Sequence, residues 1–108
     1  MRPEILELIS KLCNLYYNGI FEDFMILKGG STGMSIKTYS TEELINAVTN
    51  NYYDGFVVRL TGKLRYEKTI YLHQVKSFRI NRKSLVIDRF PLNNGAGYIQ
   101  QHSIRIRW

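Results

Sequence analysis

Glu67, His73 and His102, with Arg65, Arg79 or Arg82 in the same half of the chain, are the residues whose types could run acid–base chemistry. Cleaving RNA through its 2′-hydroxyl requires a base, an acid and a cation at the phosphate, and a carboxylate, two histidines and an arginine can fill those roles. The plainer reading is that His73 and His102 are ordinary strand residues, since any basic sheet with two histidines and one acid offers the same set. Cys13 and the two histidines share no paired spacing, so neither a zinc site nor any other cofactor is expected. Gly30-Ser31-Thr32-Gly33 matches the bare G-x-x-G of a KH backbone clamp, but its flanks read as strands where a KH loop joins helices, and a hairpin turn is expected instead. The lysine and spacing of a phosphate-cradling loop are missing.

Binding chemistry has wider support. Residues 1–54 carry four Lys and Arg against seven Asp and Glu, a net of −3, whereas residues 55–108 carry eleven against two, a net of +9. That asymmetry points to an anionic partner for the later half. Arg59, Lys63, Arg65, Arg79, Arg82, Lys83, Arg105 and Arg107 are the candidate contacts to a polyanion, single-stranded nucleic acid or RNA in the first place. Tyr66, Tyr71 and Tyr98 are candidates for stacking on unpaired bases.

These residues must be positioned by a small number of elements. In Gly55–Tyr66 (GFVVRLTGKLRY), Phe56, Val58, Leu60, Leu64 and Tyr66 alternate with Arg59, Lys63 and Arg65, which predicts a half-buried strand with a cationic outer row and a bulge or bend at Gly62. Tyr98–Trp108 repeats the pattern, with Ile104, Ile106 and Trp108 opposite Ser103, Arg105 and Arg107. Between them, Thr69–Val75 reads as a strand after a turn at Glu67-Lys68, and Ser77–Ile80 and Leu85–Phe90 flank a polar loop at Asn81–Ser84. Leu92–Gly97 is a flexible connection.

The first half supplies helices. Ile5, Leu8, Ile9, Leu12, Leu15 and Tyr16 recur at helical spacing from Pro3-Glu4 to the stop at Asn18-Gly19. Ser40 and Glu43 form a capping box for a second helix ending at Asn50-Asn51. Phe24–Leu27 and Met34–Tyr39 read as two strands joined by a glycine turn. Helices first and antiparallel strands later predict an α+β fold, with two helices of the N-terminal half packed on one face of a mainly antiparallel sheet.

A chain of 108 residues that is 44% hydrophobic suits a single domain, 1–108. Its one cysteine, Cys13, sits among apolar residues and is expected to be a buried filler. No apolar run approaches the ~18 residues of a membrane span. The chain therefore reads as a soluble, cytoplasmic protein with no membrane partner.

A basic domain of this size, helices first, an antiparallel sheet after, and His102 on the final strand resembles in layout the small barnase-type and RelE-type ribonucleases. That resemblance implies Glu67, His73 and His102 as catalytic residues. The preferred expectation is a non-catalytic binding protein. The alternative is a phage or mobile-element accessory or inhibitor protein that docks its basic face on an acidic groove of a larger protein. An exposed last strand carrying Ile104, Ile106 and Trp108 suggests a homodimer edge.

Overall fold

Pro3 opens the first helix, α1 (Pro3–Tyr17), where its missing N–H costs nothing, and Glu4 complements the dipole of the first turn. Ile5, Leu8, Ile9, Leu12, Cys13 and Leu15 form its buried stripe. The C-terminus closes as a Schellman motif: Gly19, at φ 81°, donates to Tyr16 O at 3.0 Å, and Ile20 donates to Leu15 O at 2.9 Å. The computed structural model describes residues 2–29, 31–51, 53–63, 66–93, 99–100 and 103–108, with 34, 38, 51, 92–93 and 99–100 as backbone alone.

The chain forms an α+β fold with both helices in its first half and two antiparallel sheets. It divides into two compact units, Met1–His73 and Gln74–Trp108. In the first unit, α1 is followed by β1 (Phe21–Lys28), β2 (Ser31–Ser35), α2 (Thr41–Asn51), β3 (Gly55–Leu60) and β4 (Glu67–Tyr71), and the sheet order is β2-β1-β3-β4. The register places Phe24 beside Val58, and Phe56 between Ile26 and Ile70, on the face buried with the helices. Phe24 meets Phe56 and Phe21 edge-on at 5.0 and 6.0 Å between centroids. Ser40 Oγ accepts from the Glu43 N–H at 3.1 Å, so α2 begins where the capping box places it, and it buries Leu44 and Val48.

Several sequence expectations need correction. The strand from Gly55 ends at Leu60, not Tyr66: Gly62 takes φ 74°, and Leu60 N–H donates to Tyr66 O at 3.2 Å, closing a turn. Alternation continues through this turn in the sequence, but Gly62 in the left-handed region reverses the chain here, and pairing with β3 resumes at Glu67 on the returning strand. Glu67 and Lys68 consequently lie within β4, opposite Arg59 and Val58, and are not a turn. The second strand of the first hairpin is Ser31–Ser35 and not Met34–Tyr39: Gly29 at φ 60° and the Lys28–Ser31 pairing fix the register early. Ile36–Thr38 then coils into a 3₁₀ turn, with Ser35 Oγ accepting from Lys37 N–H at 3.4 Å. Gly33 stands where an added Cβ would lie 3.0 Å from Ile26 O, a close strand approach and no helix-joining clamp; Gly30 lies outside the described residues. The expected strand Thr69–Val75 is divided by a 3₁₀ turn at Leu72–Gln74.

The second unit contains β5 (Val75–Ile80), β6 (Ser84–Arg89) and β9 (Ser103–Arg107) in the order β5-β6-β9, with a short ribbon of β7 (Leu92–Asn93) and β8 (Ile99–Gln100) between β6 and β9 in the chain. The final strand pairs with β6 within the chain and forms the edge of its sheet, with Ile106 buried and Ser103, Arg105 and Arg107 exposed. Residues 94–98, including Tyr98 and most of the expected connection, lie outside the described residues.

Candidate polyanion-binding face

Directly paired residues of an antiparallel sheet project to the same side, so register alone sorts the second unit into two faces. Phe78, Ile80, Leu85, Ile87, Ile104 and Ile106 share one, with Leu85, Ile87 and Ile106 fully buried. Arg79, Val86 and Arg105 form a row across the other, with Arg107 beside Ser84 and the trio Ser77, Asp88 and Ser103 on the opposite side of that row. Strand geometry puts Arg79 and Arg105 roughly 10 Å apart across the sheet and Arg105 and Arg107 roughly 7 Å apart along β9.

Asp88 is the acid of this face and is one-third exposed. Its carboxylate accepts from Ser103 Oγ at 2.9 Å and Ser77 Oγ at 3.5 Å and lies 3.6 Å from Arg79 Nε. Arg79 remains 70% exposed, and solvent screens such a pair strongly. Sequence reasoning missed this arrangement. Alternation in β6 puts Asp88 on the polar side, but the cross-strand serines depend on a register the sequence does not reveal.

The β5–β6 turn carries two more cations. Asn81 Oδ1 accepts from Lys83 N–H, Ser84 N–H and Ser84 Oγ at 3.0, 2.9 and 3.0 Å, a side-chain-closed turn that projects Arg82 and Lys83 into solvent. Trp108 docks on its base: the backbone N–H donates to Lys83 O at 2.8 Å and indole Nε1 to Arg82 O at 3.0 Å. Arg79, Arg82, Lys83, Arg105 and Arg107 are therefore carried by a single sheet and its turn.

The remaining candidates are carried by other elements. Arg59 belongs to the four-stranded sheet, where it pairs with Asp23 at 3.1 Å and faces Glu67 across β4. Arg59 on the one hand and Arg105 and Arg107 on the other thus belong to two different sheets, because the 3₁₀ turn after Tyr71 ends the first ladder. Lys63 sits in the β3–β4 turn, with its ammonium 5.8 Å from the Tyr66 ring centre, and Lys68 stands 5.2 Å from the same ring. Arg65 lies outside the described residues. Tyr66 and Tyr71 belong to the first unit, and neither is carried by β5, β6 or β9.

The expected acid–base set is not assembled among the described residues. Glu67 opens β4 and His73 follows its end, and the strand between them spans roughly 13 Å. His73 instead contacts the Tyr71 ring at 6.0 Å between centroids, and His102 lies outside the described residues. Among the described residues no three His, Cys, Asp or Glu side chains are placed to hold a metal ion, and no helix is long and apolar enough to cross a membrane.

The division into units relocates the charge. Met1–His73 holds eight Lys and Arg against eight Asp and Glu, a net of zero, whereas Gln74–Trp108 holds seven against one, so the entire +6 of the chain resides in its smaller unit. Comparison with protein-family models, with curated proteins and with solved structures finds no match to this chain.

Proposed function

We propose that the chain is a non-catalytic polyanion-binding protein, and that the polar face of β5, β6 and β9 contacts the phosphate backbone of single-stranded nucleic acid, RNA in the first place. The observation that carries this reading is the confinement of the net +6 to residues 74–108, with Arg79, Arg105 and Arg107 on one face and Arg82 and Lys83 at the adjoining turn. Neutralised phosphates release condensed counterions, which makes such a face adhesive to any nucleic acid at low salt.

Within β5, β6 and β9 themselves no aromatic side chain stands on the arginine face: Phe78 projects to the other side, the Trp108 indole bonds back to the turn, and Phe90, 41% exposed, follows only after the end of β6. Phosphate contacts therefore dominate over base stacking in this reading, and little sequence preference is expected.

Fluorescence anisotropy with a labelled single-stranded RNA 20-mer tests it. The wild-type chain should bind at low salt, Asp88→Asn should bind more tightly, and the double variant R79E/R105E should bind far less. Absence of RNA binding by the wild type, together with capture of an acidic protein through the same arginines, would replace this reading with a docking function.

A further inference from the structure

A cleft of about 380 Å³ opens in the first unit, where the start of α1, the end of α2, Tyr53 and the turn after β4 converge. Its floor is apolar, made of Ile5, Val48 and Leu72, all buried. Arg2, Thr49 and His73 supply the polar lining, and no carboxylate is among the described lining residues. The volume falls in the range of small-molecule pockets, roughly 300–1,000 Å³.

The walls are set by backbone bonds around Asp54. Its N–H donates to Leu27 O and its C=O accepts from Leu72 N–H, both at 2.9 Å, while Oδ2 accepts from Gly29 N–H at 2.7 Å. These bonds tie the segment after α2 to both the β1–β2 hairpin and the end of β4, so Tyr53, Leu72 and His73 are held together without a ligand. Tyr53 also lines a second cavity of about 190 Å³ with Lys28, Gly33 and Tyr39, which makes it the partition between the two.

Electrostatics select the occupant. Arg2 is the N-cap residue of α1, so its guanidinium stands at the helix end where the dipole is positive. His73 adds a ring N–H donor and Thr49 a hydroxyl on the same lining. A positive rim over an apolar floor matches a molecule with the inverse layout.

We propose that this cleft binds a small organic anion, its carboxylate or phosphate headgroup between Arg2 and His73 and its apolar body on Ile5, Val48 and Leu72. The described lining of the site comes wholly from residues of the first unit.

The test is an NMR titration of the ¹⁵N-labelled full chain with octanoate, octyl phosphate, octylammonium and inorganic phosphate. Octanoate, octyl phosphate or both should move the amides of Ile5, Thr49 and His73 at concentrations at least tenfold below those of octylammonium or inorganic phosphate, and the stronger of the two identifies the headgroup. Arg2→Gln should weaken the anion about tenfold and leave octylammonium unchanged. Thr49→Trp, at an exposed position on the lining, should block the cleft with the melting temperature retained. Equal binding of octylammonium, equal binding of inorganic phosphate, shifts confined to residues 74–108, or no saturable shift with either octyl anion would each overturn the proposal.

Discussion

The two units of this chain put their sequence to different uses. The first balances its charges and places its large residues in a continuous apolar interior, Phe21, Phe24 and Phe56 against the stripe of α1. The second is half its length, buries one face of a three-stranded sheet, and carries the whole charge surplus on the other face, the turn and the strand ends. Arginine therefore means different things in each. Arg59 is matched by Asp23 in a neutral unit, whereas Arg79 shares a single acid with two serines in a unit that has no other. Stability and polyanion affinity should accordingly respond to substitutions in different places.

The largest expected effect falls in the first unit. Phe56 is fully buried and meets Phe24 edge-on, so Phe56→Ala should lower unfolding free energy by about 3–5 kcal/mol in a urea titration. That is a large share of the ~5–15 kcal/mol typical of folded domains. Gly55→Ala should be at least as severe, since the added Cβ would sit 1.8 Å from Ile70 O. A mild effect of both would break the claim that the first unit holds the stabilising core.

Next comes affinity in the second unit. R79E/R105E should weaken binding of single-stranded RNA roughly 10- to 100-fold with the urea midpoint of the chain nearly unchanged, because both side chains are exposed. Asp88→Asn removes the acid of that face and should tighten binding about threefold, measured by anisotropy at low salt. If Asp88→Asn weakens binding instead, the carboxylate is organising Arg79 for the ligand and not competing with it.

A smaller effect follows from Cys13. Burial pushes its thiol above the ordinary value of 9.0, partly offset by a hydrogen bond with Thr41. A raised folded value stabilises the protonated native state fully below pH 9, and that contribution is lost as the unfolded thiol ionises at higher pH. The melting temperature should fall as pH rises past 9, and Cys13→Ala should flatten that part of the profile. Tyr39 is also pushed upward, by desolvation first and then by its Tyr53 hydrogen bond, so a residual slope above pH 10 should survive in the Cys13 variant.

The smallest effect is expected at Arg59. The Arg59 and Asp23 side chains are 44% and 46% exposed, so Arg59→Gln should cost no more than about 0.5 kcal/mol and leave RNA affinity unaltered. A large loss of affinity would show that the two sheets act as one surface.

The contrast between units also marks where sequence was legible. α1 could be read from its apolar period and from Asn18-Gly19, and α2 from Ser40 and Glu43, because caps and helical spacing are local. The turn at Asn81 and the two faces of β9 were equally local. What escaped was non-local or conformational. Nothing in GFVVRLTGKLRY distinguishes a bulge at Gly62 from a turn, since the apolar alternation persists beyond it. Whether Arg59 faces Asp23 or Arg105 depends on which strands pair, and the alternation within each strand is compatible with both. The Arg2, Thr49 and His73 cleft gathers residues from opposite ends of the first unit and left no sequence signal.

The most direct test of the polyanion face is the salt dependence of binding. The equilibrium constant for the full chain with a labelled single-stranded RNA 20-mer would be measured across a range of salt concentrations, for the wild type and for R79E/R105E. The wild type should show a linear fall of log K with log salt, and the double variant a slope shallower by about 1.4, roughly 0.7 for each phosphate no longer neutralised. A wild type that fails to bind at low salt, or a double variant with the wild-type slope, would contradict the assignment of that face.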